Sequence, residues 1–144
     1  MIEACLVQPG TEMIIPGQKS KKEDMQNNLC EELLRERAAV LTRAGLAVED
    51  VLNELHKLDT EIASQNRYLD FLIGFAPLSE KKDERRMLVE KINLNIELFN
   101  RLNEKCQLRY YYLIVTREAM GLRRHNMLQE VYKIPAKKKK MKTC

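Results

Sequence analysis

The chain has 144 residues, 44% of them hydrophobic and 32% charged, a balance that suits one folded domain and excludes a wholly disordered polyelectrolyte. Five Gly, four Pro and no Trp, with Leu, Glu, Lys, Arg and Asn recurring over most of the length, favour helices over many short strands. The net charge of +4 is unevenly placed: Glu23 to Ile73 carries five Lys/Arg against eleven Asp/Glu, Leu78 to Ile134 carries twelve against eight, and the residues after Pro135 add five lysines and no acid. Two such segments attract one another when packed side by side, although exposed pairs contribute only about 0–1 kcal/mol each.

Residues 1–22 read as an irregular N-terminal arm. Pro9-Gly10 and Pro16-Gly17 bracket the apolar Met13, Ile14 and Ile15, and both dipeptides are turn signals. Glu3 stands where a signal peptide would be basic, and no apolar stretch approaches the roughly 20 residues of a membrane span. An intracellular protein, in the nucleus or in the cytoplasm and its cytoskeleton, is expected.

From Lys19 to Ile73 the only breaker is Gly45, so a helix is expected over 23–73. Leu34, Leu41, Val48, Leu55, Ile62 and Leu69 recur every seventh position, and Ala44, Val51, Leu58 and Leu72 lie three further on, with Arg37 and Gln65 as polar interruptions. This is a heptad seam, and it runs through Gly45 without a change of register.

Gly74, Pro77 and Ser79 predict a turn over 74–79, with Gly74 as a left-handed stop and Ser79 as the next N-cap. A second helix follows over 80–132, carrying Ile92, Phe99, Cys106, Leu113, Met120 and Met127 at intervals of seven, with Gly121 its only breaker. Folding at the turn sets Ile62 opposite Ile92, Leu55 opposite Phe99, Val48 opposite Cys106, Leu41 opposite Leu113 and Leu34 opposite Met120, all symmetric about Pro77. A connection that short makes the helices antiparallel neighbours. The expected fold is all-α: a long antiparallel two-helix coiled-coil hairpin over 23–134, completed by a partner or by self-association. Ile92 to Leu98 alternates with period two and Leu108 to Val115 is rich in Tyr, Ile and Val, which are strand signals, but no turn residue separates them.

The second helix carries a surplus apolar stripe, Leu108, Tyr112, Val115, Ala119 and Leu122, and the first a shorter one, Leu33, Val40 and Ala47. In the hairpin register both lie at the end away from the turn. Either residues 1–22 fold back over them or they form a protein-binding surface for partner helices or a second copy.

No catalytic residue, cofactor site or metal site is assigned. His56 and His125 sit among polar neighbours on amphipathic segments, and no Gly-rich phosphate loop occurs. Cys5, Cys30, Cys106 and Cys144 form no C-x-x-C pair, which points to reduced thiols. Tyr110, Tyr111 and Tyr112 point about 100° apart on a helix and cannot line one stacking groove. Residues 135–144 are expected to be a disordered basic tail in which Lys137, Lys138, Lys139, Lys140 and Lys142 suit an acidic surface: an import receptor, tubulin tails, nucleic acid or anionic lipid. Cys144 does not form a prenylation box, which needs Cys four from the end. The expected function is a non-enzymatic coiled-coil adaptor or structural subunit of a larger cytoskeletal or nuclear assembly. The alternative is a nucleic-acid-associated protein that binds through its lysine tail.

Overall fold

The computed structural model describes residues 16–75 and 81–142, the side chains of 16–19 excepted. Every regular element among them is helical: α1 spans Pro16–Phe75, α2 Lys82–Ala119 and α3 Asn126–Val131. The strand signals at Ile92 to Leu98 and Leu108 to Val115 are overridden, and both segments lie within α2. The chain divides into two units, Met1–Val40 and Leu41–Cys144.

Helix α1 begins earlier than expected, so 16–22 are helical where an irregular arm was foreseen. Proline fits a first helical turn because its missing N–H would be unpaired there and its φ is already helical. The remainder of that arm, with Met13 to Ile15, lies outside the described residues. At its other end α1 runs through Gly74 to Phe75. Among the described residues the only positive-φ glycine is Gly121, so Gly74 is not a left-handed stop. The expected cap Ser79 and its neighbours from Ala76 to Glu80 lie outside the described residues; Lys81 precedes α2 and makes no side-chain capping bond.

Helix α2 stops at Ala119, thirteen residues before the expected end at 132, and Gly121 is the reason. With φ at 85° it closes a Schellman motif: the Leu122 N–H donates to the Arg117 carbonyl at 2.9 Å and the Gly121 N–H to the Glu118 carbonyl at 3.0 Å. The chain then turns back through α3, and Leu128, Tyr132 and Ile134 pack against the core. The heptad seam therefore fails at its ends. Met127 is exposed after the turn, and Leu34, in the first unit, is exposed as well.

In the second unit the two long helices pack against each other. Val48, Val51, Leu55, Leu58, Ile62, Leu69 and Leu72 of α1 and Ile92, Ile96, Phe99, Cys106 and Leu113 of α2 are buried. Each such side chain contributes about 1.5–3 kcal/mol when fully removed from water. Bonds that cross between the helices include those from Arg109 to the Ala47 carbonyl at 2.9 Å, Asn95 to Gln65 at 2.9 Å and Tyr68 to Glu84 at 3.0 Å. As residue numbers rise along α1 they fall along α2, so the helices run in opposite directions. Gly45 is buried in α1, and a β-carbon there would lie 3.0 Å from the Tyr132 hydroxyl. Glycine at this position admits the returning segment.

Candidate functional site

Two surfaces of the second unit carry most of the residues singled out from the sequence. The first is apolar. Leu108 and Tyr112 of α2 meet Leu46 and Ala47 of α1 along an open groove whose rim is charged by Arg43, Asp50, Lys105 and Arg109. Ala47 is half-buried, while Leu108, Tyr112, Val115 and Ala119 are exposed on one side of α2. The helix puts them there through spacings of four, three and four. Leu122 leaves this stripe, because Gly121 ends the helix before it; it is exposed beyond the turn. Leu33 and Val40 belong to the first unit, Leu33 exposed and Val40 half-buried. Of the eight residues, the structure brings Ala47, Leu108 and Tyr112 together in the groove.

The tyrosine run divides as helical geometry requires. Tyr110 packs on the core, whereas the exposed Tyr111 and Tyr112 have ring centroids 6.1 Å apart.

The second surface is polar and holds the basic tail, which is not the disordered segment expected. Residues 133–142 run without helix or strand along α2, and their backbone is held by asparagine amides. Asn100 donates to the Lys138 carbonyl at 2.9 Å and accepts from the Lys138 N–H at 2.8 Å. Asn93 does the same for Met141, at 3.0 and 2.7 Å. Asn103, fully buried in the seam, donates to the Pro135 carbonyl and accepts from Gln107 at 2.8 Å. A buried amide needs partners for both its N–H and its carbonyl, and the tail supplies one of them.

Carboxylates take the lysines. Lys137 reaches Glu104 at 2.6 Å, Lys138 reaches Asp59 of α1 at 2.6 Å, and Lys140 reaches Glu97 at 3.9 Å. The Lys138 ammonium also stands 4.9 Å from the centroid of the buried Phe99 ring, a cation–π distance. Hydrogen bonding and charge from Lys137 hold the Glu104 carboxyl below the usual carboxylate range. Lys139 and Lys142 are exposed.

These asparagines were not singled out from the sequence. Their signal is the series Asn93, Glu97, Asn100, Glu104, an amide and a carboxylate alternating at spacings of four, three and four. It places all four on one side of α2, next to the apolar seam.

Chemistry elsewhere is sparse. The exposed His56 offers its backbone carbonyl to the Thr60 hydroxyl at 2.9 Å, and His125 lies 3.2 Å from Glu118. Among the described residues no three of His, Cys, Asp and Glu are grouped to hold a metal ion, and no helix is long and apolar enough to cross a membrane. Cys30 is exposed and Cys106 buried, both as free thiols; burial pushes the Cys106 thiol up, with Arg109 partly offsetting it. Compared with known proteins, the chain matches no family model, no curated protein and no solved structure.

Proposed function

We propose that this chain is a non-enzymatic coiled-coil adaptor or structural subunit of a larger cytoskeletal or nuclear protein assembly, a helical hairpin that docks partner helices on a surplus apolar face. The observation that carries this reading is the stripe Leu108, Tyr112 and Val115, which stays exposed on α2 while the neighbouring Cys106 and Leu113 are buried. A helix with one face committed to its neighbour and a second apolar face open to solvent has surface left for another helix. Independent support comes from the first unit, where Met25, Leu29 and Leu33 stand exposed at four-residue spacing. An isolated amphipathic helix gains its stability from packing, so such a face calls for a partner. Nucleic-acid association through the tail is less favoured, because Lys137, Lys138 and Lys140 are already paired with carboxylates.

The test is the double substitution Leu108→Glu with Val115→Glu. Each carboxylate in a packed interface carries a desolvation penalty of several kcal/mol. The variant is expected to keep its helical circular dichroism and to lose self-association in sedimentation or the partner that co-purifies with the wild type. Unchanged sedimentation together with an unchanged set of co-purifying proteins would remove the stripe from consideration as an interface.

A further inference from the structure

The polar stripe of α2 matches four residues of the tail one by one. Going up the helix, Asn93 meets the backbone of Met141, Glu97 the ammonium of Lys140, Asn100 the backbone of Lys138 and Glu104 the ammonium of Lys137. Amides read the peptide backbone and carboxylates read the cations, in strict alternation. Two asparagines seven residues apart on a helix are separated by about 10.5 Å at 1.5 Å per residue. Three residues of extended chain cover about 10 Å. One heptad of α2 thus spans the three-residue step from Lys138 to Met141, which is why both can be clamped in the same two-bond manner.

The clamp has selectivity built into it. An amide that both donates to and accepts from one residue requires that residue to be extended and to possess an N–H, so proline is excluded at both clamped positions. Asp59 and the Phe99 ring add a requirement for a long cation at the position of Lys138.

We infer that this face of the second unit is a binding site for an extended, lysine-bearing peptide and that its resident ligand is the chain's own tail, Pro135 to Met141. Lys137, Lys138 and Lys140 spend their charge on carboxylates in the site, so a polyanion engages all three in full only by drawing the tail out of it.

The experiment uses the full-length chain and a fluorescent peptide with the sequence of residues 133–142, followed by anisotropy. In the wild type the tethered tail competes at an effective concentration in the millimolar range, so the peptide binds weakly. Substituting Lys137→Glu, Lys138→Glu and Lys140→Glu sets the tail against Glu104, Asp59 and Glu97 and opens the site. The peptide is expected to bind this variant at least ~10-fold more tightly than the wild type. A peptide N-methylated at Lys138 and Met141 keeps every charge but loses both clamped N–H donors, and is expected to lose at least ~10-fold in affinity. Equal binding of the peptide to both proteins overturns the site. So does equal binding of the parent and N-methylated peptides, which leaves only attraction of a cation to an acidic surface. Should the triple variant lose its helical circular dichroism, hydrogen exchange on the wild type decides. Protection of the Lys138 and Met141 amides relative to Lys139 supports the site, and equal exchange at all three overturns it.

Discussion

The side-chain amide of Asn100 donates to the carbonyl of Lys138 at 2.9 Å and accepts from its N–H at 2.8 Å, so one helical residue supplies both backbone partners of one tail residue. Neither group of Lys138 has a strand to pair with, and a backbone group left unpaired and away from water is costly. The order of the tail therefore depends on asparagines 32 positions away or more in the chain.

Asn100→Ala is expected to free the Lys138 amide. Two hydrogen bonds at about 0.5–1.5 kcal/mol each correspond to roughly a 5- to 150-fold fall in protection of that amide. Amide exchange followed by NMR checks this, with the helical core unchanged in the same spectra. An unaltered Lys138 amide would mean that the clamp does not order the tail.

Leu55→Ala and Ile62→Ala are each expected to destabilise the fold by about 2–5 kcal/mol, because both side chains are almost wholly buried between α1 and α2. Denaturant unfolding measures it. Losses under about 0.5 kcal/mol at both positions, the range usual for surface substitutions, would place these residues outside the core.

Gly45 and Tyr132 are expected to be energetically coupled. In Tyr132→Phe, which removes the hydroxyl nearest the glycine, Gly45→Ala is expected to stabilise by up to about 1 kcal/mol through helix propensity. In the wild type the added methyl meets the hydroxyl at 3.0 Å and the gain shrinks or reverses. A double-mutant cycle reads the difference directly, and additive effects would show that Tyr132 does not press on α1 at this point.

Attachment of the tail is expected to weaken in acid. Lys137 depresses the Glu104 carboxyl, so its favourable interaction is fully present above the usual carboxylate range and is lost as pH falls through the lowered value. Tail amide signals in NMR spectra recorded from neutral pH downwards are expected to move toward free-peptide positions in that window while the core signals hold. Glu104→Gln removes this part of the pH dependence. If that variant titrates like the wild type, the Lys137 pairing is not what the acid breaks.

Exposed thiol chemistry is expected to separate the two described cysteines. Cys30 is exposed and is expected to react with a thiol reagent in the native protein, whereas Cys106 is buried with its thiol pushed up and is expected to react only on unfolding. Mass spectrometry of the peptides after brief alkylation distinguishes them. Comparable labelling of both under native conditions would contradict the burial of Cys106.

The heptad spacing of Val48, Leu55, Ile62, Ile92, Phe99 and Cys106 is enough to place them inside, because burial in helix pairs follows a local period that the chain itself carries. The all-helical class and the packing of two long helices follow from the same local signal. Two features were settled by contacts between residues far apart. Gly121 looks in the sequence like Gly45, a lone glycine in a helical pattern. One stops its helix in a left-handed turn and the other lies inside a helix beneath Tyr132, and that choice depends on what the chain beyond 121 packs against. The lysine tail has the composition of a disordered segment and no periodicity of its own. It is ordered by the stripe Asn93, Glu97, Asn100 and Glu104 and by Asp59, whose spacing becomes meaningful only once a third segment returns along the helices. Local periodicity encodes which face of a helix is dry, whereas a polar stripe that reads another segment's backbone is defined by that segment, and only the folded chain brings the two within hydrogen-bond distance.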